Sequence, residues 1–548
     1  MPVARQLLGW IVLCASLIGC QPYPLAPADL VIINGKEPES LDPAIISGQA
    51  DGRIVSALFE GLTRYNAETG LAEPSLAVSW EIDSTGTRYR FTLRKNLRWS
   101  DGSPLSAEDI AYSWRRVLEP ATACDYASIL YCIQNAEAFN RGEITDFNKV
   151  GIRANGPDEL QVTLHKPTPF FLHICCYPAL GTVPRSVIEE HGDRWLLQPD
   201  LPTSGSYQLQ SWRLNDRIRL KRNDAYWDHA QTQSRIVDIL PTNNPSTALN
   251  LYESGEVDVV WDKELIPTEL VGILRQREDF HTADFFGTYF LRINTTKPPF
   301  SDPNVRLALA HAIDKDRLVD KITGADEPTA SHLVPAGIPD YTSPKGLAYD
   351  PSKAQALLRK AGFPDGKGFP PIDYLFNSSK LHEQIAVEIQ AMWQEHLGIR
   401  TQLRQLEWKS YFQDQGNINY DVSRSSWIGD YIAPESFLEV FTSVSGNNRT
   451  GWSDPAYDLL LKQSGMAPST DERMALLKQA ESMLINDAAP IIPLYFFVSM
   501  EYYDTNRVTG IHDNIRAEHP IRAIQRRNKS NSKKPVAAAT QANGVSNP

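Results

Sequence analysis

One short segment of the sequence combines side chains of several chemical types. Residues 424–431 read Arg-Ser-Ser-Trp-Ile-Gly-Asp-Tyr, which places a cation, an anion and two aromatic rings around one flexible glycine. Such a mixture can hold a ligand through charge and flat apolar surface together. Since a surface loop can have the same composition, the segment alone is compatible with a binding site or with an ordinary loop.

Signatures of catalysis are missing from the sequence. It contains no G-x-S-x-G, no P-loop and no G-x-G-x-x-G. His382 and Glu383 begin a metalloprotease-like pattern, but Ala386 stands where the second histidine is required, and one histidine cannot hold zinc in that geometry. We therefore predict a protein that is not an enzyme and has no metal or cofactor. A hydrolase stays open, because acid and base pairs cannot be identified without a fold.

Length and composition indicate a folded protein of two or three packed units. The chain has 548 residues, of which 42% are hydrophobic and 22% charged, and this is ordinary globular composition. Its formal net charge is -12, and no stripe of basic and aromatic residues offers a surface for phosphates. We predict no nucleic-acid partner.

The first twenty residues indicate export. Arg5 precedes an apolar run over residues 7–18, too short for a membrane span, and small residues lead to Cys20. This resembles the lipobox of bacterial lipoproteins, so we predict a signal peptide over residues 1–19 and lipidation of Cys20. The protein would be periplasmic or on the cell surface, held to the membrane by lipid alone. An ordinary secretory signal with an incidental cysteine is the alternative.

Four cysteines remain beyond the signal and the lipidation site: Cys124, Cys132, Cys175 and Cys176. An even number in an exported protein favours disulfides over metal, and the spacings match no zinc pattern. We expect one or two disulfides that join the adjacent pair to the other two cysteines. Free buried thiols are the alternative.

The ends of the chain differ in composition from its body. Three prolines in residues 21–28 indicate an extended tether over residues 20–29, and the polar composition after Asn528 indicates a disordered tail over residues 528–548. Within the body, hydrophobic periodicity and capping residues predict strands and helices. The clearest are strands at Arg88–Leu93 and Glu159–Leu164, a helix that begins at Asp302 and Pro303, and a helix over Leu381–His396.

Several short strings of residues occur in a characteristic order along the chain. They are Ser40-Leu41-Asp42-Pro43, Leu58-Phe59-Glu60-Gly61-Leu62, Trp99-Ser100-Asp101-Gly102-Ser103-Pro104-Leu105, Tyr112-Ser113-Trp114, Arg222-Asn223 with Tyr226-Trp227, Phe300 with Asp302, Arg306 and Ala312-Ile313-Asp314, and Trp427-Ile428-Gly429-Asp430-Tyr431. Each string is weak by itself. Their order over residues 30–525 resembles that of the oligopeptide-binding family of ABC-transporter solute receptors, extracellular solute-binding protein family 5.

The resemblance implies an α/β fold of two lobes and three domains, like the type II periplasmic binding proteins, with a ligand cleft at the hinge. The implied domain limits are 30–59, 184–283 and 498–525 for a discontinuous domain I, 60–183 for domain II and 284–497 for domain III. The peptide would lie extended in the cleft and pair its backbone like an added strand.

The resemblance also implies roles for single residues. Asp430 would bind the peptide's ammonium group, whereas Arg424 and His382 would bind its carboxylate; a surface carboxylate and an internal salt bridge are the alternatives for the first two. Further contacts to the side-chain pockets or ligand backbone would come from Tyr126, Trp408, Trp427, Ser426 and Ile428. For the three aromatic residues, plain core packing is the alternative.

Two departures from the family's pattern bear on ligand length. Thr323 and Gln415 stand where other members can place basic residues for the carboxylate. A separate departure, which concerns the cysteines, is that Ile428 occupies one place of a cysteine pair found in the family. With Arg424 retained, a reach like that of a tripeptide is favoured.

The function expected from sequence is that of a receptor for an ABC importer. It would capture peptides of about two to five residues and deliver them, as a monomer, to a permease driven by ATPase subunits. Murein or other non-standard peptides are an alternative ligand class. A hydrolase or a structural lipoprotein is the alternative from another class.

Overall fold

The computed structural model describes residues 26–46 and 48–527. The predicted signal peptide, the predicted lipidation site Cys20, most of the tether and the tail over residues 528–548 lie outside these ranges. In the described ranges, no helix combines the length and the apolar character that crossing a bilayer requires. No group of three or more His, Cys, Asp or Glu side chains there is placed to hold a metal ion.

The described chain forms eighteen strands in four sheets. The strands are β1 Leu30–Ile33, β2 Thr63–Tyr65, β3 Ala72–Pro74, β4 Ala77–Ile82, β5 Arg88–Leu93, β6 Ile152–Ala154, β7 Glu159–Thr163, β8 Tyr207–Arg213, β9 Arg217–Arg222, β10 Ile236–Leu240, β11 Val259–Val260, β12 Phe280–Ile293, β13 Ile372–Asn377, β14 Thr401–Leu406, β15 Val422–Ile428, β16 Ile491–Tyr503, β17 Val508–Thr509 and β18 Gln525–Arg526.

Fifteen α-helices accompany the strands in the described ranges. They are α1 Gln49–Leu58, α2 Ala107–Leu118, α3 Ala136–Asn140, α4 Phe171–Ile174, α5 Arg185–His191, α6 Pro245–Glu253, α7 Val271–Leu274, α8 Pro303–His311, α9 Lys315–Leu318, α10 Pro351–Lys360, α11 Lys380–Leu397, α12 Trp408–Gly416, α13 Glu435–Leu438, α14 Pro455–Ser464 and α15 Thr470–Ser482. Short 3-10 and π-helical turns connect several of them.

One mixed sheet of ten strands runs through most of the molecule. Its order is β14-β13-β15-β12-β16-β11-β1-β10-β9-β8. The long strands β12 and β16 pair antiparallel at its centre, with an irregular register between Asp284 and Thr288. The implied domain limits at 283/284 and 497/498 therefore fall inside two continuous strands, and the division into three domains remains a proposal.

The hydrophobic interior has several separate parts. One core, which includes Phe290, Trp393 and Leu477, packs helices against the β12–β15 end of the large sheet. Another, around Phe91 and Trp114, packs α2 against the small antiparallel sheet β4-β5-β7-β6. Separate cores leave room for a cleft between the bodies that they stabilise.

The four elements predicted most clearly from sequence are confirmed. β5 buries every second side chain, as its alternation of polar and apolar residues requires, and β7 ends one residue before the predicted limit. Asp302 accepts a hydrogen bond from the backbone N–H of Asn304 (2.8 Å) and so caps α8. The helix predicted over residues 381–396 is α11, which is one residue longer at each end.

The disulfide prediction is contradicted, because all four cysteines in the described ranges are free. The Cys176 Sγ lies 3.3 Å from the Thr63 hydroxyl, and the Cys132 Sγ lies 3.8 Å from a main-chain carbonyl. Cys124 and Cys175 are buried in the core of α2 and the small sheet. The thiols therefore fill the interior as small apolar groups, which was the alternative for these residues.

Candidate ligand-binding site

Strand β15 offers an open backbone edge. It pairs with β12 along its whole length, but its other neighbour, β13, pairs only with Val422 and Ser423. The Arg424 carbonyl turns away from β12 and accepts a hydrogen bond from the Tyr411 hydroxyl (2.6 Å). Because strand residues alternate in direction, Ser426 and Ile428 also point their N–H and C=O groups away from β12. An extended chain could add to this edge.

The chain leaves β15 through a very narrow passage at Gly429. A Cβ atom at this position would lie 2.2 Å from the Phe286 ring and 2.8 Å from the Phe437 ring, and these two rings pack edge to face. The Gly429 N–H donates to the Phe286 carbonyl (2.9 Å). The next N–H, that of Asp430, donates to the Ser436 hydroxyl (2.7 Å). Glycine at this position therefore fixes where the Asp430 side chain begins.

We expect Gly429→Ala to lower stability by about 1–3 kcal/mol, because packed aromatic rings must move to admit the methyl group. Ligand affinity should fall as well, since Asp430 moves with the backbone. Denaturant unfolding and calorimetric titration with a tripeptide measure the two effects. Gly446→Ala is the control, because its Cβ would meet open space and should change stability by less than about 0.5 kcal/mol. Equal behaviour of the two variants would contradict the role given to Gly429.

The Asp430 carboxylate faces a cavity of about 850 Å³. The Asp430 side chain remains in contact with solvent, but protein atoms surround much of it and reduce its hydration. This partial burial raises the pKa of the Asp430 carboxyl group, and the positive charge of Arg516 partly offsets the rise. Among the described residues, no Lys or Arg nitrogen lies within ion-pair distance of this carboxylate. Asp430 is therefore available to a cationic ligand group.

Two contacts close one side of this cavity. The Phe170 ring stacks on the Tyr431 ring with centroids 3.8 Å apart, and Lys166 Nζ lies 3.7 Å from Glu439 Oε1. Both contacts join the implied domain II to the implied domain III, directly beside Asp430. The cavity thus lies between the two bodies and is not enclosed within one of them.

Arg516 supports the Asp430 backbone, and sequence reasoning missed it. Its guanidinium donates to the Asp430 carbonyl (3.2 Å) and the Gly429 carbonyl (3.4 Å) and lies 4.4 Å from the centre of the Tyr65 ring. The residue connects the implied domain I to the other two domains. No sequence signal marks it, because its partners are distant in the chain and are mostly main-chain atoms.

Arg424 lines a second cavity, of about 580 Å³, on the other side of β15. Its guanidinium lies 5.1 Å from the Tyr289 ring centroid, and its Nε is buried without a hydrogen-bond partner. Burial opposes the charge, but Tyr289 and Tyr411 outweigh it, so the pKa of Arg424 is raised. Among the described residues, no carboxylate lies within ion-pair distance of it. The internal salt bridge considered as an alternative does not form there.

His382 lies near Arg424 but is neutral. Its Nδ1 is 3.2 Å from the Tyr289 hydroxyl. Burial, assisted by the positive charge of Arg424, lowers the pKa of His382 to about 3. His382 is not among the residues that line either cavity. At neutral pH its imidazole is a hydrogen-bond donor and not a cation, so its role towards a ligand carboxylate remains a prediction.

Only some of the other predicted site residues line one of the two cavities. Trp427 lines the Asp430 cavity, and its indole donates to the Ser436 carbonyl (2.6 Å), whereas Ser426 and Ile428 line the Arg424 cavity. Tyr126 packs its ring on that of Tyr177, with centroids 4.9 Å apart, and both residues lie in the implied domain II. Trp408 is 52% exposed and packs on rings of its own helix, outside the residues that line the two cavities.

The two departures from the family's pattern have structural partners of their own. Gln415 is buried, and its amide donates to the Tyr411 hydroxyl (2.6 Å) and the Arg424 carbonyl (2.9 Å). Thr323 donates to the Glu327 carboxylate (2.6 Å). Neither residue brings a positive charge to the cleft, so the carboxylate end of a ligand depends on other cations.

The sequence of the chain is similar to those of a known protein family. Residues 72–449 match the family model of bacterial extracellular solute-binding proteins, family 5. The chain belongs to this family. It shares 35% identity over 487 residues with the periplasmic oligopeptide-binding protein OppA of Salmonella typhimurium, which is 86% of this chain and 87% of the relative. It shares 33% over 512 residues with the probable deoxycholate-binding periplasmic protein YgiS of Escherichia coli, 90% of this chain and 93% of the relative.

The solved structures of the family agree with the fold. The periplasmic murein tripeptide-binding protein MppA in its unliganded open form is 31% identical, with a TM-score of 0.80 over 92% of this chain and 98% of that one. The family 5 protein described here therefore has the two-lobed α/β fold of the periplasmic peptide-binding proteins. Its family consists of solute-binding receptors and not of enzymes.

Proposed function

We propose that this family 5 protein captures short peptides between its lobes and delivers them to the permease of an ABC importer. The observation that carries the proposal is the arrangement around β15, an open backbone edge with the unpaired Asp430 carboxylate at one end and the Arg424 guanidinium at the other. A free peptide has the complementary pattern, since it presents an ammonium group, an extended backbone and a carboxylate. Relatives named for oligopeptides and for murein tripeptide support it.

The separation of the two charges limits the ligand's length. From Arg424 to Asp430 the chain takes six steps, which span at most about 20 Å. The long arginine side chain shortens the distance between the charged groups, and an extended peptide gains about 3.3–3.6 Å per residue. Peptides of about two to five residues therefore fit, with a tripeptide favoured.

The remaining parts of the proposal concern assembly. Cys20 would carry the lipid that holds the protein at the outer face of a membrane, and the monomer would turn between its lobes about β12 and β16, where the register is irregular. No reaction would occur on this chain, so a captured peptide should leave intact. Transport would be driven by ATPase subunits in other chains.

Mass spectrometry of ligand retained through gentle purification tests the proposal most directly. We expect intact short peptides, and we expect a tripeptide to raise the melting temperature of ligand-free protein by mass action. Deoxycholate is the comparison ligand, because it presents a carboxylate and an apolar body without an ammonium group. A shift with deoxycholate and none with any peptide would overturn the proposal, and cleavage of added peptide would indicate an enzyme.

A murein-derived peptide is the second candidate ligand. The fit to the open murein tripeptide-binding protein favours it, as does the loss of positive charge at Thr323 and Gln415, because a non-standard peptide can carry its negative charge elsewhere. Direct competition between murein tripeptide and trialanine distinguishes the two ligand classes. Displacement of one by equimolar amounts of the other identifies the preferred class.

Peptide affinity should depend on pH through Asp430. Only the carboxylate form pairs with an ammonium group, and the pKa of Asp430 is raised above the ordinary 3.8. Affinity should therefore be constant near neutral pH and fall as acid protonates Asp430, beginning at higher pH than an ordinary aspartate would allow. His382, with its pKa lowered to about 3, stays neutral over this range.

Titration calorimetry across pH checks this expectation, with Asp430→Asn as the control. The fall in acid should be smaller in the variant and begin at lower pH, because its amide does not titrate and only the peptide's own carboxylate remains to be protonated. A second fall above about pH 8, which reflects loss of the peptide's own proton, should be clear in wild type and much smaller in the variant, because the variant no longer offers the ammonium group a carboxylate. An acid limb of unchanged size in the variant would assign the effect to another group.

A further inference from the structure

A second cation lies in the cavity that Arg424 lines. Lys263 is half-buried there, with its ammonium 4.1 Å from the centroid of the Phe497 ring and 5.6 Å from that of Phe285. Among the described residues, no carboxylate lies within ion-pair distance of this ammonium. Burial lowers the pKa of Lys263, nearby acidic residues offset this only in part, and the charge of Arg424 adds to the lowering.

Four acidic residues line this cavity: Asp51, Asp262, Glu264 and Glu501. None of them lies within ion-pair distance of the Lys263 ammonium, although the charges of Glu264 and Asp262 act to raise the pKa of Lys263. Asp262 accepts a hydrogen bond from the backbone N–H two residues on (2.9 Å). Glu501 is paired with a buried histidine at 2.9 Å. Asp51 is almost fully buried, and burial raises its pKa, so its environment disfavours the charged form. In the described chain, three cations that line the cavity have no carboxylate within ion-pair distance: Arg53, Lys263 and Arg424. The guanidinium of Arg53 donates to the Asn34 side chain (3.2 Å) and the Trp261 carbonyl (2.6 Å), which leaves Lys263 and Arg424 for a ligand.

We propose that Lys263 and Arg424 together bind a peptide end that carries two carboxylates, which makes the receptor selective for peptides whose last residue has an acidic side chain. This inference rests on the proposed function, because it concerns the same cleft. One cation pairs with the main-chain carboxylate, and the other pairs with the carboxylate of the side chain. A ligand with a single carboxylate leaves one cation unpaired when the lobes close over it, and an unpaired charge in a closed site is unfavourable.

The shape of the cavity is compatible with this ligand. Its volume of about 580 Å³ is within the range of sites that hold small ligands. Apolar rings from Phe285, Phe497 and Trp261 line it together with the cations. Aliphatic carbons of a glutamate side chain would contact these rings, while its carboxylate reaches the ammonium of Lys263.

Three peptides separate charge from size: Ala-Ala-Glu, Ala-Ala-Gln and Ala-Ala-Ala. We expect calorimetric titration of the ligand-free protein to show Ala-Ala-Glu binding about tenfold more tightly than Ala-Ala-Gln. In Lys263→Met this preference should vanish, because Ala-Ala-Glu loses the partner of its side-chain carboxylate, whereas Ala-Ala-Gln no longer leaves a cation unpaired and should bind at least as tightly as it binds wild type. Rising ionic strength should reduce the preference in wild type, because it depends on charge.

Lys36→Met is the matched control. Lys36 lines the same cavity, but it already lies 3.9 Å from Glu39 on the surface, so its loss should leave the preference for Ala-Ala-Glu unchanged. A melting curve of Lys263→Met establishes that the variant is folded. Equal affinity of wild type for the Glu and Gln peptides, or an undiminished preference in folded Lys263→Met, would overturn the inference. If none of the three peptides binds wild type, the proposed function itself fails.

Discussion

Asp430→Asn is expected to weaken the binding of a tripeptide with a free amino end by about 2 kcal/mol or more, which is about 30-fold or more in Kd. The neutral amide keeps the size of the side chain but leaves the ligand's ammonium without its counter-charge in a closed cleft. No ion pair of the described chain is broken by the change, so the melting temperature of the free protein should hardly move. Calorimetric titration and thermal unfolding measure the two quantities.

The ligand and the protein both offer controls for this result. An N-acetylated tripeptide should bind wild type weakly and should lose little further affinity in Asp430→Asn, because the two changes remove the same interaction. Asp458→Asn alters another carboxylate that lines the same cavity, where the retained amide oxygen can still accept from the Ser443 N–H. If Asp458→Asn costs as much affinity as Asp430→Asn, the general negative potential of the cavity, and not a specific pair, attracts the ligand.

Arg424→Met should affect peptides according to their length. The variant keeps much of the side-chain volume against Tyr289 but removes the cation, so a tripeptide should lose about 10- to 100-fold in affinity, in the range expected for a charged hydrogen-bonded pair. A pentapeptide should lose less than about threefold, because its carboxylate lies beyond Arg424. Titration of both peptides on both proteins measures the difference.

Arg449→Met is the control for the loss of one positive charge near the site. Arg449 donates to the Gln415 side chain (3.3 Å) and lies against the Phe412 ring, one layer behind the cleft. Its replacement should change the affinity of both peptides by a similar small factor. Equal losses for tripeptide and pentapeptide in Arg424→Met would show that Arg424 does not measure ligand length.

Much of the fold could be predicted from sequence, because its signals are local or collinear. The alternation in Arg88–Leu93 and the Asp302-Pro303 start of α8 act over a few residues, and the structure reproduces both. The order of the family's strings implied two lobes without any knowledge of strand pairing. The centre of the large sheet could not be located from sequence. β12 and β16 are each one continuous strand, whereas the implied domain limits divide both of them.

The site was predicted in part, and the missing part has a common cause. Asp430 and Arg424 belong to one continuous segment with a characteristic composition, so sequence could identify them. Lys263 and Arg516 reach the cleft from distant chain segments, and the Asp-Lys-Glu triplet around Lys263 reads as an ordinary surface turn. The pairing of β11 with β1 and β16 brings the residues that follow β11 to the Arg424 cavity.

The free cysteines illustrate a limit of counting residues. An even set in an exported chain favours disulfides, yet a domain with a large apolar core does not need covalent links to be stable. Cys175 is fully buried among aliphatic and aromatic side chains. At such positions a cysteine serves as a small hydrophobic residue, and its number and spacing carry no information about pairing.

The position of β16 in the large sheet determines when the sheet can be completed during folding. Val260 in β11 and Phe290 in β12 both pair with β16, which is the last long strand in the described residues. Until residue 503 has been synthesised, β11 and β12 each have an edge without its partner strand. Such unpaired edges can pair with strands of other chains. Pairings between distant segments also form slowly. We therefore expect the unfinished chain to pair readily with other chains until β16 is present. The cleft between the two bodies can form only after β16 has joined the sheet.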